Sequence, residues 1–205
     1  MEKKGINKGI AAGIASAILL GFTPIFGKLS ILYGFTPFFI VSFRSGLASL
    51  FLFILLLIFR RDYFIIYPIG LIGCSIAGFV NGIGSIFYYS SLSYIDASVG
   101  QLLYSFYPLL VAFWLFLDRQ PFTSISLLRL ILSLPGAFLL LTNAQKEVNW
   151  FGALFMLIAA ALYSLHLIIN QRILFEAPAP TVAFYTLLSM TGTVFIAYFI
   201  FDHQF

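Results

Sequence analysis

Long apolar runs alternate with short polar breaks along the whole chain. Seven runs, at 9–33, 37–59, 65–91, 97–117, 124–142, 151–169 and 181–201, approach or exceed the length that crosses a bilayer, about 20 residues of helix. The breaks between them read YGFTP, RRDY, SYIDAS, DRQPFT, NAQKEVN and NQRILFEAPAP. Each carries turn formers or charges. No soluble domain or long linker interrupts the series. The pattern predicts an all-α polytopic membrane protein with seven transmembrane helices.

Within the runs, small residues recur at every fourth position. Gly9, Gly13, Ala17 and Gly21 form one stripe, and Gly70, Cys74, Gly78 and Gly82 another. Such stripes let helix backbones approach closely in lipid, where van der Waals contact replaces the hydrophobic drive. The first and third helices are therefore expected to pack against neighbours. The second and seventh, rich in Phe, Leu and Ile, have more surface suited to lipid. Pro24, Pro108 and Pro135 fall inside predicted helices, where each removes a backbone hydrogen bond and bends its helix or shapes its packing.

Composition agrees with the pattern. The chain is 61% hydrophobic and 9% charged, whereas soluble domains are about 45–50% apolar and about 25% charged. The net charge of +4 is spread singly or in pairs between apolar runs, which gives no footprint for nucleic acid. A single cysteine, Cys74, excludes an intrachain disulfide and a cysteine-cluster metal site. The basic start MEKKGINKG precedes an apolar run longer than a signal core, with no clear small-residue cleavage site, so the first run is read as a retained helix.

The cations set an orientation. If every run crosses, Lys3, Lys4, Lys8, Arg60, Arg61, Arg119 and Arg172 lie on one side and Lys146 on the other. Positive charge collects on the cytoplasmic side. The N-terminus is therefore expected in the cytoplasm, with the chain in the cell (plasma or inner) membrane. Arg129 lies near the cytoplasmic end of the fifth run, within snorkelling reach of the headgroups, and is given no function.

An offset of 143 residues brings Gly9 onto Gly152, Ala17 onto Ala160 and Pro37 onto Pro180, and the first two runs onto the sixth and seventh. The copies are five helices apart, an odd number, so the second enters the membrane from the opposite side. That is an inverted repeat, an architecture of secondary transporters. The expected organisation is a first five-helix repeat over 1–143 and the first two helices of an incomplete second repeat over 144–205. On this reading the chain is either a fragment or a truncated gene product.

Pro24 with Lys28, Pro37 with Arg44, and FYYSSLSYIDASVGQLLYSFYPLLVAFWLFL (Phe87–Leu117) resemble the EamA-type branch of the drug/metabolite transporter superfamily. SLSYIDAS followed by a helix with an internal YP is the most specific part. Trp150–Ile173 resembles the opening helix of that family's second repeat. The resemblance implies ten helices in two inverted five-helix repeats, both termini cytoplasmic, and passage of small metabolites, amino acids and related compounds among them, through a central cavity. Two departures stand out: three helices are missing, and Asp118 in LDRQP stands where the family often has glutamate.

Two cations stand inside apolar runs. Lys28 lies roughly 9 Å and Arg44 roughly 10 Å from the outer ends of their helices, at a helical rise of about 1.5 Å per residue. Each either snorkels to the outer headgroups or faces the bundle interior, as intramembrane charges usually do. An anionic substrate group such as a carboxylate fits between two such cations. Arg44 has a second structural option, bonding carbonyls freed near Pro24. As a rigid fork of five donors that never loses its charge, Arg44 is the better interior candidate. Lys28 is the better snorkeller.

Asp96 begins the fourth helix and reads as its N-cap, with a charge pair to Lys28 or Arg44 as the other option. Gln101, Tyr104 and Ser105 share one face of that helix, and Asn81, Ser85 and Tyr88 share one on the third. These faces either orient a metabolite or hydrogen-bond between helices. His166, in the sixth helix, titrates near neutrality and is either a ligand group or a buried structural histidine. The candidate substrate-binding set is thus Arg44, Lys28, Asn81, Tyr88, Gln101, Tyr104, Ser105 and His166.

No acidic residue lies within any apolar run, which favours exchange or facilitated transport over ion coupling through a carboxylate. No P-loop, HExxH or nucleophile elbow is present, so neither enzyme activity nor a cofactor or metal is expected. The expected function is secondary transport of small metabolites, by an exporter or exchanger. The alternative is a truncated, non-transporting membrane protein or a helper subunit. The partners are a small-molecule substrate and the lipid bilayer, with oligomerisation left open.

Overall fold

The computed structural model describes residues 2–118 and 149–202. Its helices are α1 (Glu2–Leu32), α2 (Pro37–Phe59), α3 (Pro68–Tyr94), α4 (Ala97–Tyr104), α5 (Tyr107–Leu117), α6 (Trp150–Ile173) and α7 (Ala179–Phe201), with a 3-10 turn at Arg61–Phe64. Counting α4 and α5 as one span, six among the described residues are long and apolar enough to cross a membrane. They correspond to runs one to four, six and seven. The run at 124–142, with Arg129 and Pro135, and Lys146 after it, lie outside the described residues.

Local chemistry sets the boundaries. Gly34, at φ +94°, ends α1: its N–H bonds the Ile31 carbonyl at 3.0 Å while Phe35 N–H bonds that of Ser30 at 3.2 Å. This pair of bonds is a Schellman motif, whose left-handed residue favours glycine. Two residues on, Thr36 Oγ accepts from Phe39 N–H at 3.2 Å and starts α2, with Pro37 in the first turn where its missing N–H costs nothing. The third span runs 68–94 rather than the expected 65–91, because Pro68 sets its first turn and the preceding residues are taken up by the 3-10 turn. Asn149 caps α6 by accepting from Phe151 N–H at 2.9 Å, and that helix continues four residues past its expected end at 169.

The fourth span is broken at Ser105–Phe106 rather than continuous. Pro108 lacks an N–H, and its ring crowds the carbonyl four residues back, that of Tyr104. The chain turns there through Ser105 N–H to the Gln101 and Leu102 carbonyls and Phe106 N–H to that of Leu103.

At the centre, α3 lies against α6 and α7. Its small-residue stripe makes this possible: a Cβ added at Gly78 would overlap the Thr186 carbonyl oxygen, and one at Gly82 would lie 3.0 Å from Thr193 Cβ. Cys74 on the same stripe is fully buried. The matching stripe on α1 behaves differently from expectation. Among the described residues nothing lies within 4 Å of a Cβ added at Gly9, Gly13 or Gly21, and α1 instead closes on the bundle at Gly27, where a Cβ would meet Tyr89 Cε1 at 2.7 Å. Polar bonds also cross between helices: Ser91 Oγ to Gly152 O at 2.6 Å, Ser189 Oγ to Ser75 O at 2.8 Å, Thr191 Oγ to Ser45 O at 3.1 Å and Trp114 Nε1 to Ser164 Oγ at 2.9 Å. Such bonds average about 0.6 kcal/mol in a membrane bundle, so close packing carries most of the specificity.

The contacts also fix relative directions. Lys28 reaches the carbonyls of Leu92 and Ile95, so α1 and α3 run parallel. Gly152, at the start of α6, sits on Ile95 and Tyr94, while Ile173, at its end, sits on Gly73 near the start of α3; α6 is antiparallel to α3. Thr36, before α2, donates to the Asp202 carboxylate after α7, so α2 and α7 are antiparallel. The pair α1–α2 is therefore inverted relative to α6–α7. The ion pair of Asp118 with Arg172, in the last turn of α6, puts Asp118 at the opposite end of the bundle from Asn149.

Candidate functional site

All seven described helices contribute to a cavity of about 440 Å³. Its walls include Thr23 and Pro24 from α1, Arg44 and Ser45 from α2, Asn81, Ser85, Tyr88 and Tyr89 from α3, and Gln101 and Tyr104 from α4; Tyr107, Tyr163 and Met190 come from α5, α6 and α7. The volume is in the range of small-molecule sites, and the mix of aromatic surface with a few polar groups is typical of them.

One wall is a run of tyrosines. Tyr88 meets Tyr89 at 5.3 Å and Tyr104 at 4.9 Å, both edge-to-face. Tyr104 meets Tyr163 at 5.3 Å, and Tyr163 meets Tyr107 edge-to-face at 5.3 Å. These contacts hold rigid, amphipathic surfaces around the space. Tyr88 OH donates to Gln101 Oε1 at 3.3 Å, which leaves the Gln101 amide N–H groups as donors. Asn81 Nδ2 lies 3.2 Å from Met190 Sδ, a weak acceptor. Arg44 sits over Tyr89, its Cζ 5.5 Å from the ring centroid. Among the described residues no carboxylate pairs with Arg44; the ion pair found there is Arg172 with Asp118 at the bundle end.

Five of the eight sequence candidates therefore meet at one cavity: Arg44, Asn81, Tyr88, Gln101 and Tyr104. The other three stand apart from it. Lys28 does not snorkel outward. Its Nζ donates to the Leu92 carbonyl at 2.6 Å and the Ile95 carbonyl at 2.9 Å. The last carbonyls of a helix lack intrahelical partners, and the negative end of the helix dipole favours a cation there. Ser105 spends its hydroxyl on the Leu102 carbonyl at 2.6 Å, at the break between α4 and α5. His166 is buried among helices: Nδ1–H donates to the Ala77 carbonyl at 3.0 Å, and Nε2 accepts from Asn170 Nδ2 at 3.1 Å. Thr186 Oγ in turn donates to Asn170 Oδ1 at 3.2 Å, so both ring nitrogens are engaged in a chain joining α3, α6 and α7. Asp96 occupies the N-cap position of α4 but makes no side-chain cap bond, and among the described residues no ion pair joins it to Lys28 or Arg44.

Sequence reasoning missed Tyr89 and Tyr163. The offset of 143 held a signal for the latter, because it maps Leu20 onto Tyr163 and Arg44 onto Leu187, and all four line the cavity.

A bundle of membrane-length helices that converge on one mixed polar and aromatic cavity defines a polytopic membrane protein with a central cavity. Residues 7–142 match the model of the EamA-like transporter family, well over half of the chain, and the chain belongs to that family. It is thus a multi-pass membrane protein of the drug/metabolite transporter kind, a class of transporters rather than enzymes. No match was found among curated proteins or solved structures.

Proposed function

We propose that this chain is a secondary transporter of small metabolites that bear an anionic group, amino acids or related compounds among them, working as an exporter or exchanger. The observation that carries the reading is Arg44. It lines the cavity and is held over Tyr89, with no carboxylate partner among the described residues. A charge at this depth is costly unless something pairs with it, and a substrate carboxylate meets the guanidinium fork with two parallel hydrogen bonds. Gln101 and the tyrosines supply donors for the rest of a polar solute. No Asp or Glu lies within the six described spans, which favours exchange over coupling through a membrane carboxylate.

The chain sits in the plasma (inner) membrane with its N-terminus cytoplasmic. Support comes from Arg60 and Arg61 after α2 and Arg172 at the end of α6, which share the end of the bundle where α3 begins. Residues 1–143 form a first repeat and 144–205 the start of an inverted second. The opposed directions of α1–α2 and α6–α7 favour this division.

Counterflow tests the function. Proteoliposomes loaded with an unlabelled amino-acid mixture are expected to accumulate at least one labelled amino acid, and Arg44→Gln to slow that accumulation tenfold or more. Absence of exchange by folded protein across the panel would replace this reading with that of a non-transporting membrane protein.

A further inference from the structure

A second cavity, of about 490 Å³, lies between α1 and α2. Its walls are Phe22, Phe26, Phe39, Ile40 and Phe43 with their neighbours, and most of these rings are exposed on the outside of the bundle. The polar residues on it are few. Ser30 is one, and its hydroxyl is already spent on the Phe26 carbonyl at 2.9 Å. The others are Thr23, Arg44 and Tyr89, and all three also line the central cavity. The two spaces therefore share one polar seam. On one side of it lies a tyrosine-lined polar chamber, and on the other a phenylalanine-lined groove whose rings are exposed on the outside of the described bundle.

We infer that the substrate is an amphipathic anion, its head held at Arg44 and its apolar tail lying in the groove between α1 and α2. The inference rests on the reading that Arg44 receives an anion. A wholly polar solute would use the central chamber and leave the groove without a role. A molecule with one charged end and one apolar arm satisfies both: the guanidinium pairs with the head, and the tail exchanges water for Phe and Ile side chains. The position of the seam argues against a phospholipid. Arg44 is seven residues into α2, roughly 10 Å along the helix. A two-chain lipid would have to draw its phosphate that far below the headgroup layer, whereas a single-chain anion supplied from water has no such anchor. Tyr89, only 2% exposed and close to α1 at Gly27, presents its ring to the guanidinium at the seam.

The test uses the whole chain in nanodiscs of uncharged phosphatidylcholine. Thermal unfolding is read from reaction of a thiol-sensitive dye with Cys74, which is buried in the folded state. Methanesulfonate, butanesulfonate and octanesulfonate serve as permanently charged probes. A ligand that binds only the folded state raises the melting temperature according to its concentration over Kd. Apparent affinity is expected to rise about fourfold for each methylene the groove covers. Ser30→Phe, or the smaller Ser30→Leu if the first does not fold, fills the groove without lining the chamber. It is expected to keep the methanesulfonate shift and lose the increment of the longer chains. Arg44→Gln is expected to lose every shift.

If octanesulfonate protects no better than methanesulfonate, or its increment survives both groove fillings, the tail does not lie there and the inference falls while the anion site stands. A methanesulfonate shift that persists in Arg44→Gln overturns the anion site itself. If phosphatidylglycerol added to the discs abolishes the octanesulfonate increment, the groove belongs to lipid and the inference is overturned.

Discussion

Arg44 lies over the ring of Tyr89, its guanidinium carbon 5.5 Å from the ring centroid. A cation over an aromatic face gains about 0.5–2 kcal/mol, and it leaves the formal charge of the guanidinium in place, at a depth where a charge is still costly without a partner. The ring thus lies against the charge without neutralising it, and in the function proposed above a substrate anion supplies the counter-charge. Charge-assisted hydrogen bonds contribute about 1.5–3 kcal/mol. Arg44→Gln is expected to weaken transport or anion binding about ten- to hundredfold, with expression retained. Arg44→Lys keeps the charge, loses the planar fork and falls between the two. Initial rates against substrate concentration in proteoliposomes check this; an unchanged KM in Arg44→Gln would remove Arg44 from the site.

Lys28 is expected to behave in the opposite way. It ties α1 to the last turn of α3 through two carbonyls, and it does not line the central cavity. Lys28→Gln should lower stability by about 1–3 kcal/mol, the cost of stranding partly buried acceptors, and leave KM within about twofold of wild type. Thermal melts paired with uptake kinetics separate the two effects. A KM rise larger than that of Arg44→Gln would mean that the two cations have been assigned the wrong way round.

Glycines of the same spacing are expected to differ sharply. At Gly78 an added Cβ would run into the backbone of α7, with Ser189 Cβ at 2.6 Å and Met190 N at 2.8 Å, whereas at Gly21 nothing among the described residues lies within 4 Å. Overpacking of this kind costs about 1–3 kcal/mol. Gly21→Ala instead gains helix propensity of up to about 1 kcal/mol. Thermal melts of Gly78→Ala and Gly21→Ala in nanodiscs should move in opposite directions. Equal melts for the two would show that α3 and α7 are not packed on this stripe.

That contrast marks the limit of what the sequence tells. Run lengths and breaks revealed the spans, because a bilayer demands a minimum apolar length whatever the neighbours are. A four-residue stripe reveals that a backbone can be approached, not that one approaches it. Polar positions show the same ambiguity. Arg44, Asn81, Tyr88, Gln101 and Tyr104 turned out to share a cavity, but Lys28 found helix-end carbonyls and His166 found Ala77 and Asn170. In hydrocarbon any polar group seeks a partner, and sequence does not say whether that partner is solute or backbone. Tyr89 was passed over because helical spacing favours one of two adjacent tyrosines, whereas α3 passes through the centre of the bundle and presents both to the cavity.

The orientation prediction rests on cations rather than on packing. Arg60, Arg61 and Arg172 fall at one end of the bundle, the end at which α1 begins, and Lys146 is the loop cation expected at the other. Positive charge flanking spans is retained on the cytoplasmic side during insertion. In a Cys74→Ser background, a cysteine in place of Lys146 should react with a membrane-impermeant maleimide added to intact cells. A cysteine in place of Arg61 should react only after the cells are opened. Structure sharpens the second half of the test, because α2 is antiparallel to α7, Thr36 meeting Asp202. A cysteine in place of Tyr33, exposed in the turn before α2, is on the side where α6 begins and is expected to label from the same side as one at Lys146. Labelling at position 61 from outside, with position 33 protected, would invert the whole bundle in the membrane. It would then place the seam at Arg44 roughly 10 Å from the cytoplasmic rather than the outer surface.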